Sequence, residues 1–118
     1  MDFEIIFYKS NSSKSPIEEF FLGLANRNRQ LLVKAREGIE KLRNRSYHKE
    51  PLSKHIESGL WELRIKSGTD ILRIIYTFDK GRIIILLHVF VKKQQKTPSN
   101  ELEIARKRLK ELKARKDS

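Results

Sequence analysis

The chain has 118 residues, 38% apolar and 35% charged, and Lys and Arg outnumber Asp and Glu by 26 to 15 for a net charge of +11. That length corresponds to one domain, residues 1–118, able to bury about 65% of its unfolded surface around a single core. There is no cysteine, which excludes disulfides and thiolate metal sites, and the charge imbalance points to polyanions or an acidic protein as partners.

The opening "MDFEIIFYKS" begins with an acid and lacks a basic stretch followed by a long apolar run, so no signal peptide is expected. Within it, Phe3 to Tyr8 is rich in β-branched and aromatic residues and predicts a first strand. Ser15-Pro16-Ile17-Glu18 is a capping box with proline at the first helical position, and Ile17, Phe20, Phe21 and Leu24 follow at helical spacing. Asn26 to Asn28 ends that helix and caps a second, whose apolar stripe is Leu31, Leu32, Ala35, Ile39 and Leu42. Two short helices joined by a short turn predict a helical hairpin. The stretch from Arg43 to Gly59 contains Pro51 and is read as a loop.

Three strands are expected next, Leu60 to Lys66, Ile71 to Phe78 and Arg82 to Val91, separated by turns at Gly68 and at Asp79-Lys80-Gly81. The last strand holds the longest apolar run, Ile83 to Val91, which His88 interrupts and which is too short to span a bilayer. A cytoplasmic protein without a membrane partner is expected. After the polar "KKQQKTPSN", Thr97-Pro98 supplies a cap and first-turn proline for a last helix with Leu102, Ala105, Leu109 and Leu112 on one side. The order β-α-α-β-β-β-α is an α+β domain.

Strand side chains alternate between faces. Either a two-residue or a four-residue turn at Gly68 sets Lys66 opposite Ile71 and Arg64 opposite Arg73. For the second hairpin, pairing Phe78 with Ile83 keeps one face apolar from Trp61 through Val91, and this register sets Arg73 opposite His88. A three-residue loop would set Arg73 beside Leu87 instead. The apolar face is expected to lie against the helical hairpin. The opposite face then carries Glu62, Arg64, Lys66, Arg73, His88, Phe90 and Lys92.

Two guanidiniums opposed on neighbouring strands repel by about 1 kcal/mol at 4 Å in water, and by more as the site dries. A polyanion lying across both relieves that repulsion and accepts bidentate hydrogen bonds, which makes the face a phosphate cradle. A plainer reading stands beside it: exposed arginines are commonly solvated, and Glu62 can pair with either. From Lys92 onward there are ten basic residues against four acidic ones, +6 of the total +11. Such clustering is an affinity device for nucleic acid. For the final helix, a solvated basic face opposite a packed stripe is the simpler account. A lone histidine in an apolar strand such as His88 is usually structural, and only its place near Arg73 raises it. Phe90 packs somewhat more readily than it stacks a base. His48, Lys54 and His55, in the loop before Arg64, are weaker candidates at the edge of the face. No Gly-rich phosphate loop, zinc-like spacing or Ser-His-Asp set is present, and Glu62 is the only carboxylate on the charged face. No cofactor is expected.

"GLWELRI", "LRIIYTF" and "FVKKQQKTP" with the helix that follows resemble the RelE/ParE superfamily of toxins, in particular the phage-related HigB-like branch of type II toxin–antitoxin systems, over nearly the whole chain. The resemblance implies an N-terminal strand and helical hairpin on a mainly antiparallel curved sheet, with a C-terminal helix. It further implies a toxin that enters the ribosomal A site and cleaves mRNA without metal. A cognate helix-turn-helix antitoxin, HigA-like, would neutralise it and connect it indirectly to operator DNA. Arg64 and Arg73 match the sheet arginines of the family, and Lys92, Lys93 and Lys96 match its basic C-terminal motif. No tyrosine follows Tyr76, a departure from the RelE arrangement.

On this reading Arg64 and Arg73 clamp the scissile phosphate, Lys93 stabilises charge or donates a proton, and His88 serves as base or acid. Lys54, Lys66, Phe90, Lys92 and Lys96 are the expected RNA contacts. Crowding cations together also depresses a lysine's pKa and makes it a usable base. The superfamily includes gyrase poisons, so a ParE-like poison is the alternative, with a non-catalytic nucleic-acid-binding module as a third possibility.

Overall fold

A computed structural model describes residues 2–92 and 97–117. The elements are β1 (Glu4–Phe7), α1 (Pro16–Arg27), α2 (Arg29–Lys41), a 3₁₀ turn (Arg45–Tyr47), β2 (Ser53–Glu57), β3 (Leu60–Ser67), β4 (Asp70–Asp79), β5 (Ile83–Lys92) and α3 (Ser99–Asp117). They form an α+β fold on one five-stranded mixed sheet of order β1-β5-β4-β3-β2, consistent with a RelE-like architecture. All neighbours are antiparallel except β1, which runs parallel to β5 at the far edge.

The helical hairpin forms as its caps predict. The Ser15 hydroxyl accepts from the Glu18 amide, with Pro16 at the first position of α1. Asn28 ends α1 and caps α2 by accepting from the Leu31 amide. The stripe Ile17, Leu24, Leu31, Leu32, Ala35 and Leu42 is buried against Leu63, Ile65, Leu72, Ile74 and Tyr76. α2 approaches the sheet closely because Gly38 has no side chain: a Cβ there would lie 2.4 Å from Ile65 Cδ1.

Two expectations about the chain are corrected. The segment read as a loop contains β2, which pairs with β3 as the edge strand and sets Lys54 opposite Glu62 and His55 opposite Trp61. Its sequence, Ser-Lys-His-Ile-Glu, carries little of the apolar alternation that marks a half-buried strand. The second hairpin adopts neither register considered. Phe78 pairs with Ile84, and a bulge that leaves Leu87 unpaired shifts the ladder, so Ile75 opposes His88 and Arg73 opposes Phe90. The extra residue lets Ile84 and Leu86 join the face toward the helical hairpin while His88, Phe90 and Lys92 stay on the face of Arg73.

That second face is not open. α3 crosses it and buries Ala105, with Leu102, Leu109 and Leu112 packed on the core. Arg106 forks onto Glu57 at 2.7 and 2.9 Å and ties α3 to β2, while Tyr8 donates to Glu111 and ties it to the end of β1. Two apolar layers therefore flank the sheet, and the second gives way at one end to a polar cleft. Among the described residues no helix is long and apolar enough to cross a membrane.

Gly38→Val is expected to destabilise the fold by about 1–3 kcal/mol, because the new methyl groups must displace Ile65 from a filled core. Urea denaturation measures it, and an unchanged midpoint would show that the helix–sheet contact is looser than described.

Candidate functional site

Where the α3 layer ends, a cleft of about 380 Å³ opens between β2, β3, the end of β5 and the start of α3. Its polar lining is Lys54, His55, Glu62, Arg64, Lys92 and Thr97, with Ile56 and Leu102 as the apolar wall. Each cation arrives by strand alternation: Lys54 pairs with Glu62, Glu62 and Arg64 are two apart on β3, and Lys92 closes β5 opposite Ile71. Three cations around one carboxylate is a composition suited to an anion of more than one charge.

Arg64 stands directly opposite Arg73, as expected from the hairpin. Their situations differ. The Arg64 side chain is 34% exposed and lines the cleft, with Glu62 at 3.7 Å and Glu50 at 3.9 Å. Arg73 is 6% exposed and forms a hydrogen-bonded ion pair with Glu62, itself 2% exposed. Arg73 does not line the cleft, so its charge acts from within the wall. The Nε atoms of both arginines are buried and lack a hydrogen-bond acceptor.

Lys92 is 5% exposed. Burial, and after it the Arg73 charge, lowers its pKa below the ordinary lysine value; Arg64 and Lys54 act the same way, and Glu62 opposes them. The depressed lysine expected from crowded cations is Lys92, which sequence reasoning had placed among the RNA contacts.

His88 lies elsewhere. Its Nε2 is 2.9 Å from Glu101 Oε1, and its Nδ1 accepts from Arg108 Nη1 at 3.3 Å. Arginine only donates, so Nδ1 carries no proton and the ring is the neutral Nε2–H form. This arrangement fastens α3 to β5, and the ring does not line the cleft. Phe90 is 6% exposed, stacked on His88 and outside the cleft lining. Lys66 is exposed near the hairpin turn, on the Arg64 face but outside the cleft lining. His48 is structural, bonded to the Leu42 carbonyl and packed between Phe3 and Phe78. Lys93 and Lys96 lie outside the described residues.

Thr97 had been read only as a helix cap. Its hydroxyl instead donates to Glu62 Oε2 at 2.6 Å, and α3 begins two residues later. No periodicity in the sequence signals such a contact. Among the described residues no group of three or more His, Asp or Glu side chains is placed to hold a metal ion.

Residues 19–110 match the family model described as phage derived protein Gp49-like (DUF891). No curated protein matches the chain.

Two stability measurements test this geometry. Arg73→Ala leaves Glu62 buried beside an empty space and is expected to cost about 3–5 kcal/mol, whereas Arg64→Ala, at a partly solvated site, is expected to cost no more than about 1 kcal/mol. Equal losses in urea denaturation would contradict the assigned burial. For His88, burial lowers the pKa more than Glu101 raises it, and Arg108 lowers it further. As pH falls, the unfolded chain therefore takes up the proton first. The stability His88 contributes is complete above the unfolded value and is lost as pH falls through the folded one. Between about pH 7 and pH 5 the wild type is expected to lose stability more steeply than His88→Gln; parallel curves would refute it.

Proposed function

We propose a function from one premise: the chain belongs to the phage-derived Gp49-like family, a toxin-like module of toxin–antitoxin type within the RelE/HigB-like toxin superfamily. On our reading it is the toxin of a type II system, of the HigB-like branch, and an endoribonuclease that cuts mRNA in the ribosome. The observation that carries this is the convergence of Lys54, Arg64 and Lys92 on one cleft, with Lys92 buried among cations.

In the proposed reaction an RNA phosphate lies against Arg64, with Lys54 and Lys92 beside it. The 2′-oxygen attacks phosphorus, the bond to the 5′-oxygen breaks, and the products are a 2′,3′-cyclic phosphate and a 5′-hydroxyl. An in-line displacement needs its proton acceptor and donor on opposite sides of phosphorus. Lys92 on β5 reaches the cleft from beyond β4, whereas His55 on β2, the neighbour of β3, has its ring against Trp61 and faces the other side of the sheet. Water in the open cleft takes the 2′-hydroxyl proton, and Lys92 gives one to the departing 5′-oxygen. A desolvated ammonium with a lowered pKa is a better acid than one in water. Negative charge growing on the phosphoryl oxygens is met by cations already in place, and Arg73 adds to that field from within the wall. An antitoxin partner follows from the family. We propose a HigA-like helix-turn-helix protein, through which operator DNA is contacted indirectly.

Arg64→Ala and Lys92→Met are each expected to lower cleavage by about 10²–10³-fold and abolish growth arrest while remaining folded. Inducing the gene alone and together with its neighbouring reading frame, then mapping 5′-hydroxyl ends in cellular RNA, tests the whole reading. In-frame mRNA breaks support it. DNA breaks without transcript cleavage would replace it with a gyrase poison, and harmless overexpression with a binding module.

A further inference from the structure

Glu62 is an acid where the proposed chemistry needs cations. A carboxylate in a phosphate site repels its ligand, yet Glu62 is buried and lines the same cleft as Arg64 and Lys92. Its two oxygens hold different partners. Oε1 accepts from Arg73 Nη1 and lies 3.7 Å from Arg64 Nε, and Oε2 accepts from the Thr97 hydroxyl at 2.6 Å. One carboxylate thus fastens β3, β4 and the entry to α3 to each other. The hairpin register brings two guanidiniums to the same carboxylate oxygen. A single negative oxygen near both lets them stay there without a substrate.

The same oxygen leaves donors unused, since neither Nε atom has an acceptor. The guanidiniums are therefore held in place by Glu62 but not saturated by it. Of the two, only Arg64 reaches the cleft, so it is the guanidinium to which a ligand there can offer further acceptors.

We propose that Glu62 is a positioning residue, a built-in substitute for phosphate that holds Arg64 in the orientation the RNA backbone will use and keeps Arg73 fixed in the wall behind it. The inference rests on the nuclease reading above and deepens it. It has an unusual signature, because the two effects of the carboxylate oppose each other. Its charge weakens backbone binding, whereas its hydrogen bonds keep the cations ordered for the transition state. A merely structural residue lowers binding and turnover together.

The test uses the purified full chain on programmed ribosomes. Binding is read with an mRNA carrying a 2′-deoxy nucleotide at the scissile position, and cleavage by single-turnover rates on the all-ribose mRNA. Glu62→Gln is expected to bind the deoxy probe about 3–10-fold more tightly while its single-turnover rate falls at least about 10-fold. Thr97→Val keeps the carboxylate charge and removes only the hydrogen bond. It is expected to bind within about twofold of wild type and to cleave several-fold more slowly. Parallel loss of binding and rate in Glu62→Gln, or an unchanged rate in either variant, overturns the assignment. Should Glu62→Gln fail to fold, the Thr97→Val rate decides alone. A wild type that binds but cuts nothing overturns the nuclease reading and this inference together. A cutting wild type whose variants cut equally well overturns only the inference.

Discussion

The pairing of Arg64 with Arg73 across β3 and β4 is the constraint from which the site follows. Once a short hairpin puts these residues opposite each other, two cations must share a narrow strip of sheet, and the surroundings must either stay wet or supply a counter-charge. The fold does both, unevenly. Glu62, two residues before Arg64 on the same face, neutralises Arg73 inside the protein, and the cleft leaves Arg64 in contact with solvent. The asymmetry divides a formally equivalent pair into a buried member and one that is open to solvent.

α3 determines how much of that face remains usable. It lies over Ile75, Ile85 and Phe90, where the sheet offers apolar residues, and its first turns stop beside the charged end. Packing and site are thus parts of one surface. Leu102 belongs to the helix stripe and to the cleft wall, and Thr97 belongs to the approach to α3 and to the Glu62 hydrogen-bond network. The His88–Glu101–Arg108 arrangement fixes the helix on the β5 side.

Much of this was legible in the residues. Capping chemistry placed α1 and α2 because Ser15, Pro16 and Asn28 have local roles that tertiary context does not override. The Arg64–Arg73 pairing was legible because a two-residue and a four-residue turn give the same register. The second hairpin was not. One unpaired residue, Leu87, sits in a run of seven consecutive aliphatic or histidine side chains, and alternation cannot reveal an insertion where nearly every position is apolar. β2 escaped notice because an edge strand with one covered face and a basic, His-containing sequence carries little hydrophobic signal. The basic cluster is visible in the sequence as a group, but the division of its members between cleft and interior is not. Whether a given cation is paired within the protein or left in a cleft depends on where α3 settles, and the helix stripe says only that it settles somewhere apolar.

The parallel pairing of β1 with β5 has a consequence for synthesis. Glu4 is made well before Ile83, its partner, so β1 has no sheet neighbour in a nascent polypeptide until β5 has emerged. The cleft is completed later still, since Lys92 and Thr97 follow in order. A prematurely terminated translation product can contain the helical hairpin and both sheet arginines and yet possess no assembled cleft.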